Sequence, residues 1–217
     1  MTWWTYIFPK TIFRTSTKFN HDIRVVEVYG KNKLLVNGSR QSGAYIEKLW
    51  KEALQVFGIN SSTTVNSILI LGVAGGTVIH LLRKLYPNAS IRGVDIDNMM
   101  IDVGKKYFGL DKLDISFFVA DAEVFIKKDK KKYDLVIVDI FSGRHIPDFV
   151  VTDDFLDKLK KLFETNGQLV VNYLRENEYQ KKSDILFVKL KKRFSIVKDK
   201  EISLNRFFWG KPHFVIK

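Results

Sequence analysis

Four stretches of this 217-residue chain carry residue types that can bind or transform a small molecule, and each follows a run of apolar residues. The first is Gly72-Val73-Ala74-Gly75-Gly76-Thr77, after Ser67-Ile-Leu-Ile-Leu71. Glycines in such a place let the backbone pass close beneath a ligand, and the first amides of a following helix point at it. Ala74 stands where a dinucleotide-binding G-x-G-x-x-G loop has its second glycine, which weakens a nicotinamide reading. The second stretch is Asp95-Ile96-Asp97. A carboxylate at a strand tip can accept both hydroxyls of a ribose, and a helix-capping role fits Asp97 or Asn98 better than Asp95. The third is Asp121-Ala122. Asp121 can accept a hydrogen bond from an adenine amino group, with the Ala122 amide serving a ring nitrogen, and it is equally well placed to cap the next helix. The fourth opens the longest loop, Asp139-Ile-Phe-Ser-Gly-Arg-His-Ile-Pro147. Asp139 can anchor an amine, or accept its proton as the amine attacks an activated carbon. Arg144 and His145 in the same loop are candidates for touching substrate, or are simply an exposed pair.

For these residues to meet, the runs before them must be strands whose carboxyl ends share one edge. Strands are predicted over 67–71, 90–94, 114–119, 133–138 and 168–172. Helices are predicted over about 77–86 (stopped by Pro87), 98–108, 122–128, 153–163 and 177–192. This alternation implies parallel pairing and a Rossmann-like, doubly wound α/β fold. The terminal runs 194–197 and 207–216 would add as an antiparallel edge hairpin, giving a mainly parallel seven-stranded sheet. Ahead of it, runs at 22–27 and 33–36 around the turn Tyr29-Gly-Lys-Asn32 predict a β-hairpin module over residues 1–42. A helix over 44–57 then opens the main domain, residues 43–217.

Cysteine is absent, which excludes disulfides, thiolate metal sites and a cysteine nucleophile, and the four histidines show no ligand spacing. A hydrophobic content of 46% beside 28% charged residues is that of a soluble globular chain. No run approaches the ~20 apolar residues of a membrane span, and the start, MTWWTYIFPKTIFR, lacks the core of a signal peptide. A cytoplasmic protein without a membrane partner is expected. The net charge of +12 admits a nucleic-acid partner, but 27 lysines against 9 arginines favour solvated faces over phosphate recognition. The run Lys127–Lys132 also falls in a loop, and Lys189–Arg193 ends an amphipathic helix.

From about residue 22 to 175 the sequence resembles the spermidine synthase-like group of the class I S-adenosylmethionine-dependent methyltransferase fold. The resemblance rests on Leu35-Val-Asn-Gly-Ser-Arg-Gln41-Ser42, the loop Gly72–Gly76, Val94-Asp95-Ile96-Asp97, Asp121-Ala122 and Asp139. It implies a cofactor, S-adenosylmethionine or its decarboxylated form, held by Gly72, Ala74, Gly75, Gly76, Asp95, Ile96, Asp121 and Ala122. It makes Asp139 the catalytic gate-loop aspartate, places Gln41, Tyr45, Ser142 and His145 near substrate, and brings a homodimer into view. Three acids of the aminopropyltransferase pattern are missing. Ala74 replaces the one in the glycine loop, Ser142 the one after Asp139, and Ser42–Lys48 offers only Tyr45 and Glu47. On a basic chain this favours methyl transfer to an amine, small or on a protein, over aminopropyl transfer to a polyamine, which needs carboxylates around it. A non-catalytic cofactor-binding module, serving as a basic partner or nucleic-acid-associated subunit, is a third expectation.

Overall fold

The computed structural model describes residues 8–212. Its centre is a seven-stranded sheet in the order β10-β11-β9-β8-β5-β6-β7. The strands are β5 (Ser67–Leu71), β6 (Ser90–Asp95), β7 (Ile115–Val119), β8 (Tyr133–Val138), β9 (Phe163–Leu174), β10 (Phe194–Ile202) and β11 (Asn205–Pro212). Pairing from β7 through β9 is parallel, while β11 runs antiparallel to β9 and β10. Strand order turns back at β5, which lies between β6 and β8. That is where an open α/β sheet receives its ligand.

The continuous apolar runs follow from burial on both faces. Ile68, Ile70, Leu135, Ile137, Val170 and Phe207 pack beneath α1 (Ala44–Val56), α2 (Thr77–Leu85) and α3 (Asn98–Phe108). Their neighbours Leu69, Leu71, Val136, Val138, Val171 and Phe208 face α4 (Ala122–Lys128), α5 (Asp153–Lys160) and α6 (Tyr179–Lys191). Alternate residues of one strand therefore serve two cores.

The N-terminal module is larger than the expected hairpin. It is a four-stranded antiparallel sheet, β1 (Lys10–Thr15), β2 (Ile23–Val28), β3 (Lys31–Val36) and β4 (Ser39–Ser42). β1 is half-exposed, and β4, Ser-Arg-Gln-Ser, has no apolar residue to reveal it. The module's apolar face, Ile23, Val25, Leu34 and Val36, is buried against Met100 and Val103 of α3. Two further corrections concern boundaries. α5 stops at Lys160 because Phe163 already pairs with Tyr133, so β9 starts well before the predicted residue 168. β10 extends to Ile202 on the ladder it forms with β11. Residues 213–216 of the predicted final run, with His213, lie outside the described residues. Among the described residues no helix is long and apolar enough to cross a membrane, and no group of three or more histidine, aspartate or glutamate side chains could hold a metal ion.

Candidate active site

The four sequence stretches converge at the carboxyl edge of β5, β6, β7 and β8. The glycine loop turns tightly under Asp139. Gly72 has φ +96°, and a β-carbon there would lie 2.1 Å from the Asp139 carbonyl oxygen. Gly76, at φ +77°, starts α2 where a side chain would strike Leu110. The Gly75 amide donates to the Ser42 hydroxyl (2.9 Å), so β4 is docked on the loop. Ala74 holds a left-handed conformation at φ +47° without being glycine.

Asp95 ends β6 and accepts from the amides of Val73 (2.9 Å), Ala74 (3.3 Å) and Asp97 (3.0 Å). Burial pushes its carboxyl above the usual range, and these three amides pull it back. It thus ties the loop to the strand: Oδ2 accepts both loop amides, and Oδ1, with one amide, keeps a lone pair that can meet a ribose hydroxyl. Asp97 is the N-cap of α3, accepting from the Met99 amide, and it also receives the Thr17 hydroxyl (2.6 Å) and the Asn20 amide group (2.8 Å). Asp121 caps α4 through one oxygen, which accepts from Glu123 and Val124 (2.7 and 3.1 Å). Its capping role is thereby realised, and its second oxygen takes part in neither bond. A slot runs between these acids, lined by Gly72, Ile96, Ala122, Phe141 and Phe149. Apolar faces with acceptors at the edge are the chemistry that suits a purine nucleoside.

Phe141 also borders a second, larger cavity of about 360 Å³, where Asp139 lies in the wall with Gln41, Tyr45 and Asn172. Asn172, at the end of β9, donates to the Asp139 carboxylate (2.8 Å) and accepts from Asn205 (2.8 Å) at the start of β11. Burial pushes the Asp139 carboxyl up to about 6, against the lowering pull of Asn172 and of the Trp50 indole. That indole N–H is buried and closes no hydrogen bond of full geometry with any group, so its pull on Asp139 is a weak one. Tyr45 bonds through its hydroxyl to Ser203 (2.9 Å) at the tip of the β10–β11 hairpin. Gln41 donates to the Gly143 carbonyl (2.6 Å) and so holds the long loop from the side of β4.

Ser142 and His145 turn away from Asp139. The Ser142 hydroxyl meets Asn20, Asn37 and the Phe19 carbonyl at 3.2–3.3 Å. The His145 ring faces the Tyr179 hydroxyl (3.2 Å). Both border a shallower surface hollow with Phe19 and His21. Trp50, Asn172 and Asn205 were not singled out in the sequence. An indole on a helix and an asparagine after an apolar run each have many ordinary uses, and only the fold brings them beside Asp139.

Sheet order and connectivity define a Rossmann-like, class I methyltransferase-like fold. The family model described as "Spermine/spermidine synthase domain" matches residues 47–204. The chain belongs to that family. It is 35% identical over 109 residues to a polyamine aminopropyltransferase of Vibrio vulnificus, covering 48% of this chain and 36% of that protein. The stretch matched in two further bacterial relatives spans 24% and 26% of their length. The fold matches the spermidine synthase of Thermotoga maritima with a TM-score of 0.73 at 15% identity, over 93% of this chain and 72% of that one. It matches human methyltransferase-like protein 13, solved with SAH, with a TM-score of 0.65 at 20% identity, over 79% and 83% of the two chains. The expectation of methyl transfer finds no support in the family model or in the matched bacterial aminopropyltransferases, whose names favour the aminopropyl alternative.

Proposed function

We propose that the chain transfers an aminopropyl group from decarboxylated S-adenosylmethionine to an amine, with Asp139 as the group that orients the amine and takes its proton. Asp139 carries this reading. Its half-buried carboxyl lies in the wall of the larger cavity beside the nucleoside slot, and is pushed up to about 6. A base with that affinity is ionised at neutral pH and still accepts a proton readily. The slot's acids and glycine loop suit the nucleoside, Asp95 for the ribose and Asp121 with the Ala122 amide for the adenine. The donor supplies a carbon already activated by its sulfonium. The acceptor nitrogen bonds to that carbon as the C–S bond breaks with its electron pair going to sulfur, and the nitrogen's proton passes to Asp139. The chain's part is in-line positioning of the two reactants. Gln41 fixes the loop that carries Asp139, and Asn172 fixes the carboxylate.

The deciding assay offers the chain either cosubstrate with a panel of amines and measures the nucleoside released. Formation of 5′-methylthioadenosine from the decarboxylated form supports the proposal. Formation of S-adenosylhomocysteine from S-adenosylmethionine, or release of neither nucleoside, would overturn it.

A further inference from the structure

The cavity beyond Asp139 is not the acidic pocket that a dication needs. Its charged residues are Asp139, Glu176, Arg40 and Arg144. The Glu176 carboxylate is already closed by the Arg144 guanidinium. Arg40 lies over the Tyr45 ring, 5.6 Å from its centroid. Among the described residues no salt bridge pairs a carboxylate with Arg40. Ala74 brings no carboxylate, and the Ser142 hydroxyl is engaged outside the cavity with Asn20 and Phe19. Asp139 is therefore the one acid left to meet an incoming amine, and Arg40 is the cation left to meet whatever the amine carries at its other end.

A second ammonium facing Arg40 would be repelled without a carboxylate to offset its desolvation. A carboxylate would meet the forked donors of the guanidinium, which sits over the Tyr45 ring. The net charge of +12 also favours approach of a molecule with an anionic group over that of a diamine. Resting on the transfer reading above, we propose that the acceptor is an amino-carboxylate, with its amine at Asp139 and its carboxylate at Arg40.

The test uses the full chain saturated with 5′-methylthioadenosine and titrates in matched probes of three, four and five carbons by calorimetry. At each length these are the ω-amino acid, the diamine and the monoamine. At the best length the amino acid should bind about tenfold tighter than its diamine, the scale of one charge-assisted contact. Arg40→Gln should cut that ratio by about tenfold, and Arg40→Lys should keep part of it. The proposal is overturned if the diamine binds as tightly as the amino acid at every length, if no amino acid binds, or if Arg40→Gln leaves the ratio intact. Binding needs no turnover, so this result is separate from the nucleoside-release assay that decides the reaction itself.

Discussion

An aspartate that is to take a proton near neutral pH must keep its charge where water stabilises it little, yet not so little that it stays protonated. Asp139 meets both demands: burial raises its pKa and the Asn172 amide lowers it. The chemistry requires the ionised form, so kcat/KM should fall as pH drops through about 6 and level off above it. Asp139→Asn should lower kcat by roughly 10²–10⁴-fold, the usual worth of a general base, while 5′-methylthioadenosine still binds. Unchanged kcat in that variant would remove Asp139 from the mechanism. Asn172→Ala removes a bond that favours the charged form, so the acid limb of the pH profile should move to higher pH. A limb that stays in place would assign Asn172 to structure alone. Asp139 was legible in the sequence because the residue after the fourth strand is fixed by the periodicity of the runs before it. Asn172 was not, because its partner is 33 positions away and its type is common at strand ends.

At the scale of elements, the site depends on how closely the turn after β5 approaches the end of β8. The Asp139 amide donates to the Leu71 carbonyl (2.8 Å), which brings the Asp139 carbonyl over Gly72. No rotamer change relieves a contact of 2.1 Å between a β-carbon and a backbone oxygen, so Gly72→Ala must push the two strand ends apart. With φ at +96° adding strain of its own, the expected loss is about 3 kcal/mol or more in denaturant unfolding, together with weakened nucleoside binding. A loss under about 1 kcal/mol would show that the loop shifts freely. The central strands were readable because burial on both faces leaves an unbroken apolar run. β4 was not, since its four polar residues become a strand only through register with β3 and docking of Ser42 on Gly75. For the same reason, what positions Gln41 could not be seen before the sheet was.

At the scale of the molecule, the N-terminal sheet is bound to the seven-stranded α/β domain by polar and apolar ties together. Asp97 joins α3 to Thr17 and Asn20, and Asn32 donates to the Tyr107 carbonyl (2.7 Å). Gln41 holds the Asp139 loop through Gly143, and Asn37 reaches Ser142 at 3.3 Å. Beneath these ties, Ile23, Val25, Leu34 and Val36 close over Met100 and Val103. Each such side chain contributes about 1.5–3 kcal/mol when fully buried, and a folded domain has a margin of only about 5–15 kcal/mol. The expectation that follows is that the parts before and after the boundary drawn at residue 42 depend on one another to fold. A chain beginning at Gly43 should melt well below the full chain, or aggregate through the uncovered face of α3. Asp97→Ala, which cuts the cap and two ties while sparing the apolar contact, should cost about 2–4 kcal/mol in denaturant unfolding. It should also leave a single transition when tryptophan fluorescence and far-ultraviolet circular dichroism are followed together. Two separated transitions would mean that the polar ties alone join the modules. The apolar contact with α3 would then add little to holding the sheet against the site.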